Sequence, residues 1–199
     1  MDPATGALRV ATGSYDGTVR VWDAETGSAL LVIDVGSVVR ALAFFVDPAT
    51  GAPRLACGTS MNCGKSGDVR VFDPVAGGEA LLVLDVGSWV TALAFFTDPA
   101  TRAPRLACGA GKMVHVFDPV AGGEALLVID VGSAVWALAF FADPATGALR
   151  LACGCEGGKV RIFDAVAGGE ALVVLEGHTE MVQALGCLLY TSDAADELC

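Results

Sequence analysis

Basic residues are scarce in this 199-residue chain: 12 Lys and Arg stand against 23 Asp and Glu, a net charge of −11. A surface of that sign repels phosphate backbones and acidic lipids, so neither nucleic acid nor membrane is an expected partner. Charge of either sign is thin, at 18%, while hydrophobic residues reach 54% and mean hydropathy is +0.60. So apolar a chain buries enough surface to offset its ordering entropy, which excludes the disordered class. Long apolar runs are missing too. The longest, Val131 to Ala142, has 12 residues between Asp130 and Asp143, well short of a bilayer span. The opening Met1-Asp2-Pro3-Ala4-Thr5-Gly6 has neither a basic segment nor an apolar core, so no secretory signal is expected.

What the chain has in plenty is glycine, 25 residues, with 8 prolines, and these turn-formers recur at intervals. Asp-Pro-Ala-Thr begins at Asp2, Asp47, Asp98 and Asp143, spaced 45, 51 and 45. An aromatic followed by Asp recurs at Trp22-Asp23, Phe72-Asp73, Phe117-Asp118 and Phe163-Asp164, and Asp-Val-Gly-Ser at Asp34, Asp85 and Asp130. Three anchors in one order at one period define a repeat architecture. Each unit holds four short apolar or alternating runs. In the second unit they are Val38–Phe45, Arg54–Cys57, Asp68–Phe72 and Ala80–Leu84; the third has Val90–Phe96, Arg105–Cys108, Val114–Phe117 and Ala125–Ile129, and the fourth Val135–Phe141, Arg150–Cys153, Val160–Phe163 and Ala171–Leu175. Such runs predict an antiparallel meander per unit. Strands apolar on both faces need cover on both, and radial stacking of small sheets supplies it.

Leu8 to Asp23, LRVATGSYDGTVRVWD, resembles the WD-repeat β-propeller family, with its strand, Asp-Gly turn and Trp-Asp ending; Gly177-His178 is similar to that family's Gly-His. The resemblance spans residues 1 to about 186. It implies an all-β propeller of four-stranded antiparallel blades, a hydrogen-bonded structural tetrad, and a non-catalytic scaffold for a protein or peptide partner. Thr12, Asp16 and Trp22 match three tetrad positions and His178 the fourth in a later unit. The middle units depart, with Ser37, Ser88 and Ser133 for His, Cys57, Cys108 and Cys153 for Ser or Thr, and Phe72, Phe117 and Phe163 for Trp. Phe with a small thiol packs but carries no hydrogen-bond chain, so those blades are expected to rest on burial.

The expected units are a partial blade over 1–35, blades over 36–85, 86–130 and 131–176, and the first strand of a further blade over 177–186. Together they hold about four blades' worth of strands, an open arc of a larger ring; closure as a four-bladed ring, with the last strand completing the first blade, is the alternative. Residues 187–199 match nothing in the repeats and resemble a translated sequencing adapter, so they are set aside as a non-native tail. An open arc also leads us to expect self-association through its exposed blade faces.

Little of the chain suggests chemistry. Gly58 to Ser66 approaches a phosphate-binding loop, but five residues separate the glycines and a strand follows where a helix is required. Six extra residues in that loop account for the longer interval. Cys57, Cys108 and Cys153 hold one position in adjacent units and read as small buried hydrophobes, their thiols reduced. Cys153-x-Cys155 has no matching pair or nearby His. Neither His115 nor His178 has a nucleophile or carboxylate placed beside it. We therefore expect no catalytic residue, metal or cofactor, and no enzyme, in an intracellular, cytoplasmic setting. A propeller enzyme with a site at the channel mouth, or a truncated product without its own function, are the alternatives. In a regular array, positions that differ between units stand out. Arg40, Thr91, Trp136 and Gln183 are equivalent, as are Val38, Trp89, Ala134 and Met181, and of these Arg40, Trp89, Thr91, Trp136, Met181 and Gln183 are the candidate protein-binding residues. Trp and Arg at a rim are the usual anchors.

Overall fold

The computed structural model describes residues 8–60 and 67–187. Residues 1–7, 188–199 and most of the Ser60–Lys65 insertion, including the near-phosphate loop's second glycine, lie outside them. Among the described residues, fifteen strands form four antiparallel sheets in chain order. The first sheet has three, β1 (Arg9–Gly13), β2 (Thr18–Asp23) and β3 (Ala29–Asp34). The second holds β4 (Val39–Val46), β5 (Pro53–Thr59), β6 (Asp68–Phe72) and β7 (Leu82–Asp85). The third holds β8 (Val90–Thr97), β9 (Pro104–Ala110), β10 (Met113–Phe117) and β11 (Leu127–Asp130), and the fourth β12 (Val135–Ala142), β13 (Leu149–Cys155), β14 (Val160–Asp164) and β15 (Gly168–Leu175). The sheets stack in sequence without closing into a ring.

The predicted runs and the observed strands coincide in order and type, and differ at their ends. β5, β9 and β13 run on through Gly58, Gly109 and Gly154, because each glycine leaves room for the next sheet. A Cβ built on Gly13, Gly58 or Gly109 would lie 2.5, 2.5 or 2.8 Å from the Cγ1 of Val39, Val90 or Val135. The outer strands β7 and β11 begin later than expected, at Leu82 and Leu127, after glycine pairs with positive φ at 77–78 and 122–123. The segment 181–187 is not a strand here. Among the described residues β1 has no strand on its inner side, and the four-bladed closure is not formed.

Burial holds the sheets together. Leu55, Leu106 and Leu151 are at most 1% exposed, and Cys57, Cys108 and Cys153 are sealed beside them. Between sheets, Phe45 stacks on Phe95 at 4.4 Å and Phe96 meets Phe140 at 4.5 Å. Each such pair adds about 0.5–1.5 kcal/mol beyond its buried area. Polar groups work at the strand ends. Thr59 Oγ1 donates to Asp68 Oδ1 at 2.6 Å, Asp68 receives Arg70, and Arg70 Nη1 donates to the carbonyl of Val35 in the preceding turn at 2.6 Å. The second blade thus has a polar network as well as burial, at positions the tetrad comparison did not cover.

Candidate functional site

The inner strands share one irregularity. Each breaks register after its first valine: Val39 pairs with Thr59 and Ala41 with Gly58, Val90 with Ala110 and Ala92 with Gly109, Val135 with Cys155 and Ala137 with Gly154. The skipped residues are Arg40, Thr91 and Trp136. A bulge takes one residue out of the ladder and re-aims its side chain. The valine before it is pinned against a glycine of the preceding sheet, so the bulged side chain turns away from the packed interface.

Those three side chains converge, with Tyr15 and Gln183, on a recess of about 290 Å³. The Arg40 guanidinium lies 5.1 Å from the centre of the Tyr15 ring and 5.8 Å from that of Trp89. Two aromatic faces hold the cation. Arg40 Nε and Trp136 Nε1 are shielded from solvent and have no hydrogen-bond partner among the described residues. Thr91 Oγ1 has the Val135 carbonyl and, at 3.1 Å, the Gly109 carbonyl within reach; its one proton fastens the third sheet to the fourth. Trp89 stands 45% exposed beside Arg40, and Met181, 37% exposed, is not among the residues lining the recess. Tyr15 was not singled out from sequence. Its only signal was an aromatic in the turn Ser14-Tyr15-Asp16-Gly17, where an aromatic gains nothing locally.

The four tetrad candidates are divided. Trp22 Nε1 donates to Thr12 Oγ1 at 2.8 Å across β1 and β2. Asp16 instead closes its own turn, its Oδ1 accepting from the Thr18 amide at 2.9 Å and hydroxyl at 2.7 Å. These bonds hold its carboxyl below the usual range. His178, the candidate from the last repeat, lies in the exposed segment after β15, its carbonyl beside Gly158 in the turn between β13 and β14.

A second feature repeats at the opposite strand ends. Arg54 reaches Asp47 and Asp73, Arg105 reaches Asp98 and Asp118, and Arg150 reaches Asp143 and Asp164, at 2.7–3.8 Å. Each arginine ties two turns whose aspartates already accept backbone amides. For Asp47, Asp98, Asp143 and Asp164 these amide bonds are the main reason their carboxyls stay ionised to lower pH. Burial works the other way at Asp73 and Asp118, but the amides and arginines outweigh it. The clamps are structural.

The thiols of Cys57, Cys108 and Cys153 are pushed up to about 12 by burial. Thiols that do not ionise are neither nucleophiles nor ready ligands. His115, half-buried on β10 and stacked near Phe117, is shifted down by burial. Among the described residues, no three His, Cys, Asp or Glu side chains gather as a metal site, and no helix is long and apolar enough to cross a membrane.

Four-stranded sheets stacked radially at one period, with a recess built from their inner strands, define the propeller class of repeat protein. Residues 3–23 match the family model described as WD domain, G-beta repeat. Over 73 residues the chain is 34% identical to the eukaryotic translation initiation factor 3 subunit I of Coccidioides immitis, covering 37% of this chain and 20% of that protein. Over 45 residues it is 49% identical to the ribosome biogenesis protein BOP1 homolog of Oryza sativa subsp. japonica, covering 23% of this chain and 6% of the other. The crystal structure of Saccharomyces cerevisiae Sqt1 has the same fold, with a TM-score of 0.74 at 20% identity over 98% of this chain and 52% of that one. The chain thus spans about half the length of that solved structure and a smaller part of both relatives. In its fold and in the one matched repeat the chain is similar to the WD-repeat β-propeller family.

Proposed function

We propose that the chain is a non-catalytic scaffold that binds a protein or peptide segment at the recess formed by Arg40, Thr91, Trp136 and Gln183. Proteins of this family generally act as interaction scaffolds. The observation that carries the reading is the convergence of Arg40, Thr91, Trp136 and Gln183 on one recess, with the Arg40 guanidinium beside the rings of Tyr15 and Trp89. A guanidinium offers several donors in a fork that fits carboxylate and carbonyl oxygens. The favoured ligand is therefore a segment offering carboxylate or carbonyl oxygens beside an apolar side chain, with Trp89 and Tyr15 as flanking aromatic contacts. One relative is named as a translation initiation factor subunit and the other as a ribosome biogenesis protein, which supports an intracellular setting.

Peptide display against the purified chain tests this. Selected peptides should carry acidic residues, and Trp136→Ala or Arg40→Ala should abolish their binding while leaving the melting temperature within a degree or two. If Trp136→Ala lowers the melting temperature by several degrees with binding intact, Trp136 is a packing residue and the recess is not the site.

A further inference from the structure

The outer strands carry a pattern that neither the core nor the recess uses. From Glu124 to Asp130 exposure alternates: Glu124, Leu126, Val128 and Asp130 face solvent, while the residues between them are covered wholly or in part. Glu79, Leu81, Val83 and Asp85 repeat this in the second sheet. Leu81 and Val83 are 57% and 55% exposed, Leu126 and Val128 58% and 47%. The second and third sheets each have another sheet on either side, so this exposure belongs to the rim of the arc and not to its ends. Scattered exposed leucines are ordinary on a protein surface, but an apolar pair bracketed by two acids on successive outer strands is a patterned one.

The backbone edge beside this pattern is open, since β7 and β11 are the last strands of their sheets. Leu81 N is spent on the Val71 carbonyl and Leu126 N on the Val116 carbonyl. Backbone groups alternate in direction along an antiparallel strand, so those of Leu82, Leu84, Leu127 and Ile129 point outward from the sheet. A free edge is a template for one more strand, and proteins blunt it with lysine, proline or a bulge. The stretches 79–85 and 124–130 contain neither residue, and β7 and β11 pair without a register shift. Their shortness is what protects them: four residues each, whereas the same stretch of the fourth unit lies in the eight-residue β15.

The acids set the charge of what can be added. In the fourth sheet Glu176 stands at the position of Asp130, and Lys159 of the neighbouring strand binds it, Nζ to Oε1 at 2.6 Å. In the second and third sheets the cross-strand residue is Asp68 or Met113, so no cation comes from that position. A second copy of this chain, with its net charge of −11 and the same acids on its edges, brings like charges together. Charge complementarity therefore selects a basic partner.

We propose that the outer edges β7 and β11 take up an extended segment of a partner protein in which two apolar residues at alternate positions are flanked by lysine or arginine. The segment pairs with the outward backbone groups of Leu82 and Leu84, or of Leu127 and Ile129, as a fifth strand of the sheet. Its apolar side chains cover Leu81 and Val83, or Leu126 and Val128. Its cations meet the two acids, which seven residues of extended chain set about 20 Å apart, as Lys159 meets Glu176. With an acid at each end, either strand direction satisfies the charges. This rim is separate from the recess, which the inner strands build.

Fluorescence anisotropy of a labelled peptide, Lys-Thr-Val-Thr-Val-Thr-Lys, against the full chain tests this. The peptide should bind, and exchanging both lysines for glutamate should weaken it about tenfold through the two reversed charge pairs. N-methylation of the alternate amides that face the edge should abolish binding. A lysine peptide that does not bind, a glutamate peptide that binds as well, or a methylated one that binds undiminished each overturns the proposal. Val83→Lys with Val128→Lys, both at exposed positions, should also abolish binding with the melting temperature unchanged; binding that survives the pair is somewhere else. Should that variant fold poorly, amide hydrogen exchange of the unaltered chain decides. Bound peptide should slow exchange at Leu82, Leu84, Leu127 and Ile129. Binding lost in Arg40→Ala, with those amides unprotected, places the peptide at the recess and rules out the rim.

Discussion

Single residues show where the repeat tolerates change and where it does not. In the turn that follows each inner strand, Gly51 and Gly147 have φ of 67° and 69°, and the third unit has Arg102 there at 61°. The left-handed region costs a side-chain-bearing residue about 1–2 kcal/mol, part of which glycine gives back in unfolded-state entropy. Arg102→Gly should therefore raise stability by about 0.5–1 kcal/mol in urea unfolding. Gly109 behaves oppositely. Its φ is ordinary, but a Cβ would stand 2.8 Å from Val135 Cγ1, so Gly109→Ala should lower stability by about 1–3 kcal/mol through overpacking. Buried thiols give a separate check. Cys57, Cys108 and Cys153 should resist iodoacetamide in native buffer and label only in denaturant, while Cys187, which is exposed, labels at once. Peptide mass mapping distinguishes them.

At the scale of elements, each inner strand does two jobs that the bulge separates. Its valine and second phenylalanine hold adjacent sheets, and its bulged residue faces the recess. Phe45 is 7% exposed and stacked, so Phe45→Ala should cost about 3–5 kcal/mol, whereas Phe44→Ala, at 49% exposure, should cost far less. The Arg–Asp clamps set the acid limit of the fold. For the six clamp aspartates the folded pKa lies below the unfolded one. Their stabilisation is thus complete above the unfolded value of about 3.9 and is lost as pH falls through the lowered folded values. Melting temperature should be flat with respect to these groups from neutral pH down to about 5 and drop steeply below about 4. A drop centred near pH 6 would point to histidine instead.

On the scale of the whole molecule, the arc is held by the same contact at each junction, a valine of one sheet against a glycine of the sheet before it: Val39 on Gly13, Val90 on Gly58 and Val135 on Gly109.

Much of this was legible in the residues. The period, the order and type of the strands, the turn aspartates and the buried Leu-Ala-Cys core strands follow from alternation, apolar runs and turn chemistry, which act over a few residues. Arg40, Thr91, Trp136 and Gln183 could be picked out because a regular array makes equivalent positions comparable. Other features could not be read this way. The bulges that re-aim those side chains exist only where a valine of one sheet meets a glycine of the next. The pairing of Tyr15 with Arg40 spans two sheets, and so does the Arg70 bond to Val35. Most telling is Val182–Gly186, whose sequence is that of an inner strand and whose backbone is not. Sequence by itself determined what each segment can become, because propensity and pattern are local. Only the tertiary structure decided whether a segment finds its partner, because a β-strand's hydrogen bonds are satisfied by another strand and never by itself.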